Sequence, residues 1–380
     1  MKNRFVPSAA AFLAALLSLC ALRTADPASS APLPPFAAFP GVVQNSTITT
    51  IASTVPKNGD VNPYGMAVVP ATTGSLVKGD ILVSNFNNVS NLQGTGTTIM
   101  EISPAGHVTQ FAKVDPNHLH GHCPGGVGLT TALFAVRSGW VFVGSLPTRD
   151  GMPDTAGAGC IVVLNSIGQV AETFYGSLIN GPWDMTGLDN GSHVALWVTN
   201  VLNGTVQGHG HIVNGGTVIR LNLVIPIGSQ PSIASAAVIG SGFPERTDPG
   251  ALVIGPTGVA LSPDGNRLFV ADSLNDRIAA IPNPLFRTTS AGLGDTVTMG
   301  RFLNDPLGLA MGPHGDILSV NGSNGYLVTT TLSGVQVRRD LLDGSGSPPG
   351  AGALFGLAFV SGQGLYFVDD ATNTLNLFTR

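Results

Sequence analysis

The chain has 380 residues, 50 of them Gly and 27 Pro, with only 10% charged and 6% aromatic side chains and a formal net charge of −5. Such a composition excludes a disordered or long-helical chain, and the lack of a Lys/Arg cluster beyond the N-terminus argues against a nucleic-acid surface. Length alone allows two or three domains, but a turn-rich, closed all-β fold of this size can be one unit.

The first segment reads as a targeting sequence. Lys2 and Arg4 precede the apolar run AAAFLAALLSLCAL, residues 9–22, and small residues and prolines follow. The run is short for a transmembrane helix and fits a secretory signal peptide over 1–31. Cys20 does not make a lipobox, because the bulky Leu19 precedes it. Cleavage after Ala31 removes Lys2, Arg4, Arg23 and Asp26 and takes the formal charge from −5 to −7. A Pro/Ala-rich linker over 32–44 leads to a single domain, 45–380. No other run is long enough to span a bilayer, so the mature chain is expected to be secreted or periplasmic and monomeric.

STITTIAST, residues 46–54, is β-branched and alternating, and predicts a strand with no neighbour nearby in sequence. Six similar units follow. Their first strands are PYGMAVV at 63, GVGLTTA at 126, PWDMTGL at 182, PTGVALS at 256, PLGLAMG at 306 and LFGLAFV at 354. Their second strands are ILVSNFNN, VFVGSLPT, LWVTNVLN, LFVADSLN, ILSVNGSN and LYFVDDAT. The marker positions 65, 128, 184, 258, 308 and 356 recur at the spacing of four-stranded propeller blades with loop insertions. Only three strands fit after Gly356. The strand at 46–54 is therefore expected to complete the last blade and close the ring.

The sharpest unit is GPTGVALSPDGNRLFVADSLNDRIAAI, residues 255–281. It resembles an NHL-type repeat (Pro-x-Gly, Pro-Asp-Gly, Val-Ala-Asp-x-x-Asn-x-Arg-Ile) and is similar to the repeats of the SMP-30/gluconolactonase group. The resemblance implies an all-β, six-bladed β-propeller, and leaves function open, because propellers host many activities. In metal-dependent lactonases of this group the residues before the marker carry Asn or Asp ligands, with a Glu from the first blade. Here that row reads Tyr64, Val127, Trp183, Thr257, Leu307 and Phe355. The departure counts against a lactonase and implies either an apolar ligand pocket or a channel filled as core.

Several residues remain as candidates for chemistry. HLHGHC carries His118, His120 and His122 in the loop before the second first-strand, and His209 and His211 fall in the insertion of the third unit. In an antiparallel propeller both loops leave the same face. Five of eight histidines could then converge on Zn or Cu, or simply form a polar rim. Cys123 and Cys160 are the cysteines left after export and are expected to bridge. Asp184 stands where five units have Gly; it could act as a base, a metal ligand or a hydrogen-bonded structural carboxylate. The ring Asn85, Ser145, Asn200, Asp272, Asn321 and Asp369 ends the second strands and is read as turn chemistry. The leading expectation is a binding module for a small molecule, glycan or protein. A metal-dependent hydrolase or lyase using the histidines with Asp184 is the alternative, and a purely structural envelope role is a third.

Overall fold

The computed structural model describes residues 46–380; the expected signal peptide and linker lie outside the described residues. Six antiparallel sheets stand around a central axis. The inner strands are Val61–Val68, Leu129–Ala135, Pro182–Asp189, Pro256–Leu261, Pro306–Met311 and Leu354–Val360. The second strands are apolar along their length because neighbouring blades cover both of their faces. Ile81–Asn87, Val141–Ser145 and Ile317–Asn321 are buried at every position. By contrast, the outermost strand of the fourth blade, Asp295–Met299, has no buried residue. Thr47–Ser53 pairs antiparallel with Thr374–Thr379, so the sixth sheet takes its outer strand from the start of the domain.

Register fixes which residues are equivalent around the ring. The first residue of each inner turn pairs with the polar end of its second strand: Pro63 with Asn85, Leu129 with Ser145, Pro182 with Asn200, Pro256 with Asp272, Pro306 with Asn321 and Leu354 with Asp369. Each of those polar ends makes at least one hydrogen bond, although Asn85, Asn200, Asp272 and Asn321 also keep one buried atom without a partner among the described residues. Asn85 Nδ2 donates to the Thr54 carbonyl at 3.1 Å, Asn321 Nδ2 to that of Phe302 at 2.7 Å, and Asp272 is ion-paired with Arg277 at 2.8 Å.

This register corrects the second unit by three residues. Leu129, Thr130 and Thr131, and not Gly126, Val127 and Gly128, match Pro256, Thr257 and Gly258. Both threonine hydroxyls behave alike, since Thr130 Oγ1 donates to the Pro182 carbonyl and Thr257 Oγ1 to that of Pro306. The remaining marker glycines are required by close approach. A Cβ at Gly258, Gly308 or Gly356 would press into the carbonyl oxygen of Leu307, Phe355 or Tyr64 on the next blade.

The third blade departs most from the repeat. Its outer strands, Val213–Val224 and Ser232–Asp248, are 12 and 17 residues long, and the second turns back into a fifth strand, Leu252–Ile254. In the second blade Cys123 and Cys160 form a disulfide across a separation of 37 residues, pinning the loop before the inner strand to the start of the third strand. The bridge is compatible with an extracellular, oxidising setting. No helix among the described residues is long and apolar enough to cross a membrane.

Candidate functional site

Four of the six residues in the predicted channel row meet at one end of the ring. Tyr64 stacks on Phe355 with centroids 3.8 Å apart and on Phe86 at 4.5 Å; Trp183 lies 6.4 Å from Tyr64. With Leu307 they belong to one buried apolar cluster. The stack fills the channel and forms the floor of a cavity of about 560 Å³ above it. Thr257 is not part of this floor: it is fully buried, and its hydroxyl bonds Ser273 and the Pro306 carbonyl. Val127 lies in the preceding loop, and its ring position is held by Thr130.

The walls come from loops on the face where strands enter the ring and where second strands leave it. Asn62 and Asp305 stand one residue before the inner-strand prolines of blades one and five. The other blades have Gly128, Gly181, Gly255 and Ala353 there. Both residues hold left-handed backbone, φ 61° and 55°. That conformation is uncommon outside Gly, and Asn and Asp tolerate it best. Asn87, Asn91 and Gln93 come from the first blade's insertion. Arg246 and Asp248 come from the end of the long third-blade strand, and Asp370 follows the sixth.

Acceptor oxygens dominate this wall. Asn62 Oδ1, Asn87 Oδ1, Gln93 Oε1 and Asp305 Oδ1 are all buried without a hydrogen-bond partner. An unpaired buried polar atom costs about 1–3 kcal/mol, so a donor reaching any of these four would be stabilising. The acids are poised near neutrality. Burial, with Asp276 and Asp248 nearby, raises Asp305 to about 6. Burial, with Asp369 beside it, raises Asp370 to about 7. The Tyr64 phenol is pushed up by burial and by Asp370. Arg246 is held at 2.6 Å by Asp248 and also acts on Asp305, which Ser323 hydrogen-bonds, while Asp370 has no such compensation. Behind the wall, buried Glu245 accepts hydrogen bonds from Thr205 Oγ1 at 2.6 Å and Asn203 N at 3.0 Å. It thereby locks the third-blade insertion to the long strand; burial raises it to about 7.

The histidines do not assemble. All five are exposed. His118 pairs with Asp115 at 2.6 Å, and the ring of His122 sits edge-on to Tyr175 at 5.2 Å, while its carbonyl accepts from Thr173 Oγ1. This loop therefore lies against the outer strand of blade two. His209 follows the short turn Val206–Gly208, and the next residue, Gly210, donates to Thr247 Oγ1 on blade three. Loops leaving the same face are thus spread around its rim. Among the described residues no three His, Cys, Asp or Glu side chains are placed to share a metal ion, so the expected Zn or Cu cluster of His118, His120, His122, His209 and His211 is not formed.

Asp184 is also separated from the histidines. It lines a different cavity, at the opposite end of the channel, and its Oδ2 accepts the Val259 amide of the next blade at 2.9 Å. The joint acid/base arrangement expected of Asp184 and the histidine loops is not present.

No protein-family model matches the chain, and no curated protein matches it in sequence. Solved structures do. A gluconolactonase from Xanthomonas campestris is 15% identical, with 88% of this chain and 90% of that one covered and a TM-score of 0.53. A calcium-binding regucalcin from Agrobacterium tumefaciens is 14% identical over 86% and 93%, with a TM-score of 0.54. A virginiamycin B lyase from Staphylococcus aureus is 15% identical over 88% and 100%, with a TM-score of 0.51. At these identities the likeness is one of fold: the chain has the six-bladed β-propeller architecture of the SMP-30/gluconolactonase-like and lyase propellers.

Proposed function

We propose that the protein is an exported binding module that takes a small, hydroxyl-rich molecule, of the size of one or two sugar rings, in the cavity above the Tyr64 stack. One observation carries the reading: acceptor oxygens of Asn62, Asn87, Gln93 and Asp305 without partners among the described residues, together with the carboxyl of Asp370, belong to the wall of one cavity above an aromatic floor. Hydroxyl donors answer the acceptors, and the C–H face of a ring answers the aromatics. A volume of about 560 Å³ lies within the range of small-molecule sites. The test is calorimetric titration of the mature chain with a panel of monosaccharides, disaccharides and polyols. At least one is expected to bind, and Asn87→Ala or Asp305→Asn to weaken it at least tenfold. No binding across the panel, or binding indifferent to both substitutions, contradicts the reading.

A second reading is favoured by the positions of Asp305 and Asp370 near neutrality in one cavity. Carboxyls at about 6 and 7 suit general acid and base work, and a hydrolase or lyase acting on the same ligand class would use this pair in place of Asp184 and the histidines. Release of acid from a sugar-lactone panel, lost in Asp370→Asn, separates catalysis from capture.

A further inference from the structure

The opposite end of the channel holds a second cavity, of about 300 Å³, that the proposed ligand seat does not use. All six inner strands wall it with their later halves. Most of the lining side chains are apolar, with Met66, Leu133, Met185, Leu309 and Leu357 prominent, although backbone and Asp184 make about half of the surface polar. Two polar side chains from adjacent blades stand at the marker position within it. Asp184 is 8% exposed and Thr131 is 3% exposed. Among the described residues no Lys, Arg or His lines the cavity.

Asp184 bonds the next blade, but closing the ring does not require a side chain at this position. Four blades carry Gly at this position and close without a side chain, as described above. The Val259 and Met185 amides hold the Asp184 carboxyl down, but burial outweighs them and raises it to about 7. Thr131 Oγ1 has no hydrogen-bond partner among the described residues. A buried charge needs a partner, and a buried hydroxyl needs a bond. Together they offer one strong acceptor and one adaptable hydroxyl at the edge of a hollow lined mostly by apolar side chains. Met66 and Met185 add side chains that adjust to the shape of what they touch.

We infer that this cavity is a binding site for a compact apolar amine, its ammonium group held by Asp184 and Thr131 and its hydrocarbon packed among Met66, Met185, Leu309 and Leu357. A charge-assisted hydrogen bond in an apolar surround is stronger than a neutral one, so the amine is preferred over an alcohol of the same shape. The site is independent of the proposed sugar seat, from which the Tyr64 stack divides it.

The probe is benzylamine, compared with benzyl alcohol, titrated into the mature chain at about pH 8.5, where Asp184 is ionised. Benzylamine is expected to bind at least tenfold more tightly than benzyl alcohol. Asp184→Asn should remove at least tenfold of that affinity and Thr131→Val several-fold, while Asp305→Asn leaves it unchanged. Thr131→Val keeps the shape of the side chain and carries the test if Asp184→Asn does not fold. Equal affinities for amine and alcohol, no benzylamine binding at millimolar concentration, or full affinity in Thr131→Val overturn the inference.

Discussion

The two ends of the central channel are made by the same six strands and differ in the side chains that line them. The end where strands enter is walled by loops and by the long third-blade hairpin, and it collects Asn62, Asn87, Gln93, Arg246, Asp248, Asp305 and Asp370. The other end is walled by the strands themselves, and its side chains are apolar apart from Asp184 and two threonines, Thr131 and Thr186. The repeat dictates the second end, because inner-strand residues must pack around a closed ring. It leaves the first end free, because loops can lengthen without disturbing the sheets. Chemistry has accumulated where the repeat imposes least.

The largest effect that would sharpen this contrast comes from the disulfide, which anchors a loop of the elaborated end. Cys123→Ser with Cys160→Ser is expected to lower stability by about 2–4 kcal/mol, read by denaturant unfolding, with affinity at the benzylamine cavity retained. Next is the acid pair of the elaborated end. Asp305→Asn with Asp370→Asn should weaken the hydroxyl-rich ligand by about a hundredfold, roughly 2.7 kcal/mol, and raise the unfolding midpoint, because two buried charges are removed.

A smaller effect is the response to pH. Asp184, Glu245 and Asp370 at about 7 and Asp305 at about 6 are raised above the ordinary carboxyl value near 4. The folded state therefore binds more protons than the unfolded chain between about pH 4 and 7, and stability falls as pH rises through that window. The midpoint is expected to be a few degrees higher near pH 5 than near pH 8. Asp264, held at about 2 by Ser262 and the Asn266 amide, acts in the opposite sense below pH 4. A midpoint that climbs steadily from pH 5 to 8 would contradict this assignment. The smallest expected effect belongs to the histidine loops. His120→Ala with His209→Ala should change neither ligand affinity nor the metal content found by elemental analysis; a stoichiometric Zn or Cu lost in the variant would reverse that conclusion.

The architecture was legible because close packing around the ring leaves a repeated trace. Gly258, Gly308 and Gly356 are dictated by the neighbouring strand's carbonyl, and the second strands are continuous apolar runs because both faces are covered. The second blade was misread for a physical reason. Gly128 belongs to the ring, but at the position of Gly181 and Gly255, and Leu129 stands where four blades have Pro. The channel residues Tyr64, Trp183, Leu307 and Phe355 were legible as a group, although they form a floor under the cavity as well as part of its lining. The acceptor wall was not legible. Its members lie one residue outside the repeated strands, in the first blade's insertion, or in the hairpin PERTDPG, residues 244–250, which has no counterpart among the described residues of other blades. One signal was available: Asn62 and Asp305 occupy a column that is otherwise Gly or Ala. The histidines misled because leaving the same face does not bring two loops to the same place on it.

The most direct test of the central claim is an amide hydrogen-exchange map of the mature chain with and without the tightest sugar or polyol from the panel. The account predicts new protection in residues 87–93 and 246–254 and around Asp305 and Ser323, with none at 118–122 or 209–211. Protection confined to the histidine loops, or to the inner strands around Met66 and Met185, would contradict it and move the ligand seat elsewhere.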